Sequence, residues 1–398
     1  MKIAVLTSGI LPVPSVQGGA VENLIDFYLE YNDIHKIHDI TVYSIYNKKT
    51  DNHPAQASLV NHYYYIDTNS LWARIRRFIY LHTSYKKDNS LNNHFIEFYF
   101  EKAARHLRRC NYDIIILENR PSYALKLGNI TTAKLVYHLH NEKLTLTTPS
   151  YQELYDAASL IICVSDYISK SVRTINPHDT KCVTVHNGID LHAFSSPRHI
   201  ARKDVGLSDD DFVIIYSGRI NPEKGIMELI EAISRMTNYP NIKLLVIGSS
   251  FFGNVTNEDD FTKELRKKME HIKDQIKFTG YIPYNDVPAY LKLADIAVVP
   301  SMWEEAFGLT VLEAMAAGLP LITTRSGGIP EICEDVALIV DRSHIIDNLI
   351  HGIEQLFNNP ALRKKMSQES LNRAKDFSKD KYTCQFFNAI ELLNSSNN

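Results

Sequence analysis

The sequence predicts two α/β domains in tandem, each built on a doubly wound parallel sheet. Three observations predict it. The chain has 398 residues, too many for one ordinary core and enough for two domains of about 200 residues each. Short apolar runs recur along it, separated by stretches long enough for crossover helices. The runs are continuous rather than alternating, as strands covered by helices on both faces require.

In the first half the runs are Lys2–Leu6, Ile40–Ile45, Asp113–Leu117, Lys134–Leu139, Leu160–Val164 and Cys182–Val185. In the second they are Phe212–Tyr216, Lys243–Ile247, Ile276–Phe278, Ile296–Val299, Leu319–Thr323 and Ala337–Val340. The alternation restarts at Phe212, after Asn187-Gly188-Ile189-Asp190 and Ser195-Ser196-Pro197, which are turn signals. This predicts an N-terminal domain over 1–193 and a C-terminal domain over 194–375. Residues 376–398 are expected to form a closing helix that crosses back to the N-terminal domain. Two such domains would face a cleft, because ligands of these sheets bind outside the carboxyl ends of the strands.

Composition narrows the function. Apolar residues at 44% and charged residues at 22% are those of a globular chain, so disorder is expected only in the last few residues. A net charge of −3 argues against a polyanion binder, and no nucleic-acid motif accompanies the basic residues. The five cysteines, Cys110, Cys163, Cys182, Cys333 and Cys384, are odd in number and form no CxxC pair. That argues against a disulfide framework or a Cys-rich zinc site and favours a reducing cytoplasm. Met1-Lys2 runs directly into a strand-like segment rather than a secretory leader, and no apolar run approaches the length of a membrane span.

The most informative stretch is Pro300 to Pro320. An apolar strand ends in a loop carrying Glu304, Glu305, Ala306 and Phe307, and Gly308 precedes a short Ala-rich helix. Glycine there lets the helix N-terminus offer free N–H groups to a phosphate. Glu305 and Glu313 are eight residues apart, one before the helix and one within it, a placement that suits either bracketing one ligand or two solvated carboxylates of a capped helix. A second cluster, Ser217-Gly218-Arg219 to Lys224-Gly225, follows the first strand of the C-terminal domain. Arg219 offers a planar fork of donors and Lys224 a point charge. Cations at a helix start oppose its dipole unless an anion is shared between them. Gly18-Gly19 follows the first strand but is not a G-x-G-x-x-G dinucleotide fingerprint. His138 and His140 lie on one side of a strand, with His140 at its carboxyl end.

The Pro300–Pro320 segment resembles the E-x7-E element of glycosyltransferase family 4, retaining enzymes with the GT-B fold of two Rossmann-like domains. Leu11-Pro12-Val13-Pro14-Ser15 with Gly18-Gly19-Ala20 is similar to members linked to bacterial spore coat and surface polysaccharide synthesis. Residues 46–115 match least. The resemblance implies a nucleotide diphosphate sugar as donor, a UDP-sugar by family frequency, and a saccharide or lipid-linked acceptor. It implies no cofactor and no metal. It places Glu313 on the ribose and Glu305 on the sugar. Arg219, Lys224, Gly308, Leu309 and Thr310 fall at the diphosphate, Phe307 within the donor site, Tyr281 at the nucleobase, Gly18 and Gly19 at the donor phosphate or acceptor, and His140 near the reaction centre. Glu305, His140, Arg219 and Lys224 are the expected catalytic set, with Glu304 a substitute for Glu305. Gly327-Gly328 is expected to close over the phosphates.

Other readings stay open. A nucleotide-sugar epimerase shares the fold and would convert donor without an acceptor, and a non-catalytic coat or scaffold protein would need no charged set. Asp209-Asp210-Asp211 has the form of a metal-binding D-x-D but precedes a strand, as a solvated turn does. Leu71 to Lys87 interleaves basic and bulky apolar residues, and residues 70–110 hold nine basic residues against three acidic ones. Such a face suits either a packed surface helix or peripheral contact, through 71–109, with anionic lipid at the inner face of the membrane.

Overall fold

The apolar opening Lys2–Leu6 is strand β1, and every backbone pairing around it is parallel. In the computed structural model, which describes residues 1–83, 94–248 and 260–395, the chain divides into two units. One comprises Met1–His186 and Tyr382–Asn398, the other Asn187–Lys381. The doubly wound architecture expected from the apolar runs is present in both.

The first unit contains β1, β2 (Asp39–Ile45), β3 (Asn61–Ile66), β4 (Ile114–Glu118), β5 (Lys134–Leu139), β6 (Leu160–Cys163) and β7 (Cys182–Thr184) in the order β3-β2-β1-β4-β5-β6-β7. The order reverses between β1 and β4, the switch point outside which such sheets bind ligands. β4 reads Ile-Ile-Ile-Leu-Glu and is wholly buried, which makes its terminal Glu118 an ionisable group without water. The sequence pattern misses β3. Its Asn-His-Tyr-Tyr-Tyr-Ile has no apolar run, because an edge strand is only half covered and tyrosines serve there. The helix Lys379–Ser395 sends Tyr382, Phe386, Phe387 and Ile390 into this unit's core, where Phe386 stacks on Tyr28 at 4.5 Å between ring centres.

The second unit contains β8 (Phe212–Ser217), β9 (Ile242–Ile247), β10 (Ile276–Gly280), β11 (Ile296–Val299), β12 (Leu321–Thr324) and β13 (Leu338–Val340) in the order β10-β9-β8-β11-β12-β13. Here the switch lies between β8 and β11, paired through Ile214 and Ile296. The helix Ile226–Arg235 buries Ile226, Leu229, Ile230 and Ile233, one face at helical spacing, against the sheet. Truncating one of them, Ile230→Ala for example, removes about 2–5 kcal/mol.

Candidate active site

The loops leaving β8 and β11 meet because a glycine lets them. Gly225 ends a single 3-10 turn, Pro222–Lys224, at φ 69°, and a Cβ there would collide with the carbonyl oxygen of Pro300. Lys224 Nζ reaches Glu305 Oε1 at 2.5 Å, and the Ser301 hydroxyl donates to the same oxygen at 2.6 Å. Arg219 is exposed, and its main chain is fixed by the Tyr216 hydroxyl, which donates to its carbonyl at 2.8 Å. Among the described residues its guanidinium makes no ion pair.

The two adjacent glutamates have different partners. Glu304 accepts from Arg342 Nη2 at 2.6 Å and from the Gly327 N–H, so it ties the loop to the segments after β12 and β13. Glu305 faces Lys224, while its carbonyl accepts from the Gly328 N–H at 2.8 Å. Gly327 passes so close to that carbonyl that no Cβ fits. Gly308, at φ 107°, opens the helix Leu309–Ala316 without a side-chain cap, which leaves first-turn N–H groups such as those of Leu309 and Thr310 without helical acceptors. The Phe307 ring is buried edge-on against Phe377, so only its main chain is available to a ligand. Glu313 lies one turn beyond Leu309. Burial pushes its carboxyl up to about 8. Tyr281, in the turn after β10, is exposed.

In the first unit, Gly18 (φ 76°) and Gly19 (φ 112°) lead into the helix Ala20–His35. A Cβ on Gly19 would strike the carboxylate of Glu22. Burial pushes Glu22 up to about 7. His140 follows β5, and its Nε2 lies 3.0 Å from Glu118 Oε2. His138 Nδ1 is 3.0 Å from the same oxygen, and the Tyr28 hydroxyl donates to Oε1 at 3.0 Å. Burial opposes the charge of Glu118, but His138 and His140 outweigh it and hold the carboxyl at about 2. Burial, with His138 beside it, pushes His140 down to about 4 and keeps it neutral. Glu118, His138 and His140 are also a donor set that could hold a metal, with the three ligand atoms within 4.8 Å of one another.

Glu118 and Glu22 are the residues that sequence reasoning did not single out. The signal for Glu118 was a lone acid closing an otherwise apolar strand. Asp209-Asp210-Asp211 forms a turn, with Asp211 Oδ2 accepting from the Ser208 N–H at 2.7 Å. The basic aromatic stretch forms a helix, Leu71–Thr83, with Leu71, Trp72, Ile75 and Phe78 exposed and Arg76 paired to Glu101 at 2.7 Å. Its continuation through Lys86 and Lys87 lies outside the described residues. Among the described residues no helix is long and apolar enough to cross a membrane.

Residues 38–193 match the family described as Glycosyltransferase Family 4, and residues 197–373 the family described as Glycosyl transferases group 1. The protein YtcC of Bacillus subtilis is 29% identical over 387 residues, which is 93% of this chain and 86% of YtcC. Spore coat protein SA of the same organism is 29% identical over 354 residues, 84% of each chain. The crystal structure of Anabaena Alr3699/HepE in complex with UDP-glucose superimposes with a TM-score of 0.73 at 21% identity, covering 99% of this chain and all of that one.

Proposed function

Since this chain belongs to the GT-B glycosyltransferases, with a family 4 segment followed by a group 1 segment, we propose that it moves a sugar from a UDP-sugar to a saccharide or lipid-linked acceptor. Transfer retains the anomeric configuration and needs no metal. The first unit takes the acceptor and the second the nucleotide-sugar. The observation that supports this reading is the Lys224–Glu305 pair in the loops leaving the adjacent strands β8 and β11, with the uncapped helix at Leu309 following the second loop.

The diphosphate sits against Arg219, Lys224 and the N–H groups of Gly308, Leu309 and Thr310. Glu313 takes the ribose hydroxyls, Glu305 a sugar hydroxyl and the turn at Tyr281 the base. Gly18 and Gly19 admit the donor phosphate or acceptor, and His140 faces the sugar. As the bond from the anomeric carbon to the leaving phosphate oxygen breaks, charge grows on that oxygen. Two cations and a helix N-terminus meet it, the task a divalent metal performs elsewhere. The acceptor oxygen then bonds to the same face, and its proton passes to the departing phosphate. UDP is favoured because the Anabaena protein was crystallised with UDP-glucose. The exposed Leu71, Trp72, Ile75 and Phe78, with Arg74 and Arg77 beside them, form the face proposed to meet an anionic membrane carrying a lipid-linked acceptor.

The test is a panel of nucleotide sugars followed by thermal stabilisation and slow hydrolysis with EDTA present. One stabilising donor that is hydrolysed supports the reading. Donor conversion without hydrolysis or acceptor points to an epimerase, and a requirement for added metal removes the metal-free mechanism.

A further inference from the structure

The Glu118 side chain is fully buried, and the proposed reaction gives it no task. It closes β4 in register with His138 of β5, and His140 lies two residues further along the same strand direction. Period two therefore turns both imidazoles toward one carboxylate. An ionised carboxylate only accepts hydrogen bonds, so each atom facing it must donate. The Tyr28 hydroxyl, His138 Nδ1 and His140 Nε2 occupy those places at 3.0 Å each. A neutral imidazole has one N–H. In His140 it is spent on Glu118, and the other nitrogen keeps its lone pair.

We propose that Glu118 is a positioning residue: it fixes His140 in the Nε2–H tautomer, which leaves Nδ1 as the acceptor for a sugar hydroxyl proton. The two histidines differ in the way this requires. The second nitrogen of His138 is sealed and unpartnered, a packing position. His140 Nδ1 has no partner among the described residues and is not sealed, and 6% of the side chain remains exposed. The carboxylate behind the ring also raises the electron density at that lone pair, which strengthens the bond it accepts. Nothing in the sequence ties Glu118 to His140. The link exists only because β4 and β5 are neighbours.

This inference rests on the reading of His140 as a sugar contact, and the experiment separates the two. Full-length protein labelled with ¹⁵N-histidine is examined by NMR, the His140 signals being those lost in His140→Gln. The expected result is protonated Nε2 and unprotonated Nδ1 at neutral pH. Glu118→Gln places amide donors against the ring and is expected to shift His140 toward the Nδ1–H form. Loss of kcat should be about 10- to 100-fold, with KM for the donor little changed, as for other orienting partners of histidine. His140→Ala in the Glu118→Gln background should cost little more. If His140→Ala alone keeps full turnover, the sugar-contact reading falls. If it loses turnover while Glu118→Gln does not, the sugar contact stands and the positioning role falls. An Nδ1–H or doubly protonated His140 in the wild-type protein overturns the proposal even if Glu118→Gln fails to fold. So does a stoichiometric metal that is absent from His140→Gln.

Discussion

Lys224 and Glu305 form an ion pair at 2.5 Å although 81 residues separate them, because their loops leave the adjacent strands β8 and β11. The pair is largely shielded, with side-chain exposures of 22% and 16%. Neither member is spent on packing alone. An arriving diphosphate can share the cation while a sugar hydroxyl donates to the carboxylate. Lys224→Ala is expected to weaken UDP-sugar binding about 10- to 100-fold, the range for a hydrogen bond to a charged group. Titration calorimetry reads it. The double variant with Glu305→Gln should be less impaired than the product of the single effects, since the partners touch. Full additivity would show that they act on separate ligand groups.

Arg219 should behave differently. Its guanidinium makes no ion pair among the described residues and is exposed, so Arg219→Ala is expected to leave the melting temperature unchanged. On the proposed mechanism its charge acts once the leaving phosphate becomes more negative. Turnover should fall by roughly 10² to 10³-fold with donor affinity nearly intact. Steady-state kinetics and donor titration together decide; equal losses in both would place the arginine in ground-state binding.

Glu313 supplies a pH signature. Its carboxyl rises from the ordinary 4.5 to about 8 in the folded protein. Between those values the folded state holds a proton that the unfolded chain has released, so the contribution to stability falls as pH rises through that window. Glu22, raised to about 7, acts in the same direction. Glu313→Gln should flatten the decline in melting temperature between about pH 5 and pH 8 and leave the part due to Glu22. On the proposed ribose contact, hydroxyls donating to Glu313 would favour its ionised form. UDP binding at pH 7 is therefore expected to release a proton, visible as a dependence of binding enthalpy on buffer ionisation heat. Unchanged release in Glu313→Gln would assign the proton elsewhere.

The helix Leu71–Thr83 exposes Leu71, Trp72, Ile75 and Phe78 beside Arg74 and Arg77. Vesicles containing anionic phospholipid should sediment with the protein, less so at high salt. Trp72→Ser with Phe78→Ser should weaken this roughly 10-fold or more, because two large side chains then bury nothing in the bilayer surface. Binding that ignores both salt and the double substitution would rule this face out.

Much of the fold was legible because parallel strands covered on both faces must be apolar without a break. Ile-Ile-Ile-Leu at β4 and Ile-Ala-Val-Val at β11 can be little else. The edge strand β3 escaped notice, since half its surface meets solvent and its tyrosines satisfy both sides. Arg219, Lys224, Glu305, Gly308 and Glu313 stood out for a related reason. Each lies in the loop that leaves an apolar strand or on the helix that follows it, on the side where a doubly wound sheet binds its ligands.

What the sequence by itself determined is every strand but β3, their parallel character and the residue types at their carboxyl ends, all consequences of local periodicity and burial. The tertiary structure decided which of those residues touch. It joined Lys224 to Glu305 and left Glu304 to Arg342. It also brought the Cys163 and Cys182 sulfurs, remote from any CxxC spacing, to 3.3 Å as free thiols. And it set Glu118 against His138 and His140. The reason is physical: a strand's own residues dictate that it is buried, but its neighbours in the sheet dictate which charges share that burial. A carboxylate without water must find its donors there.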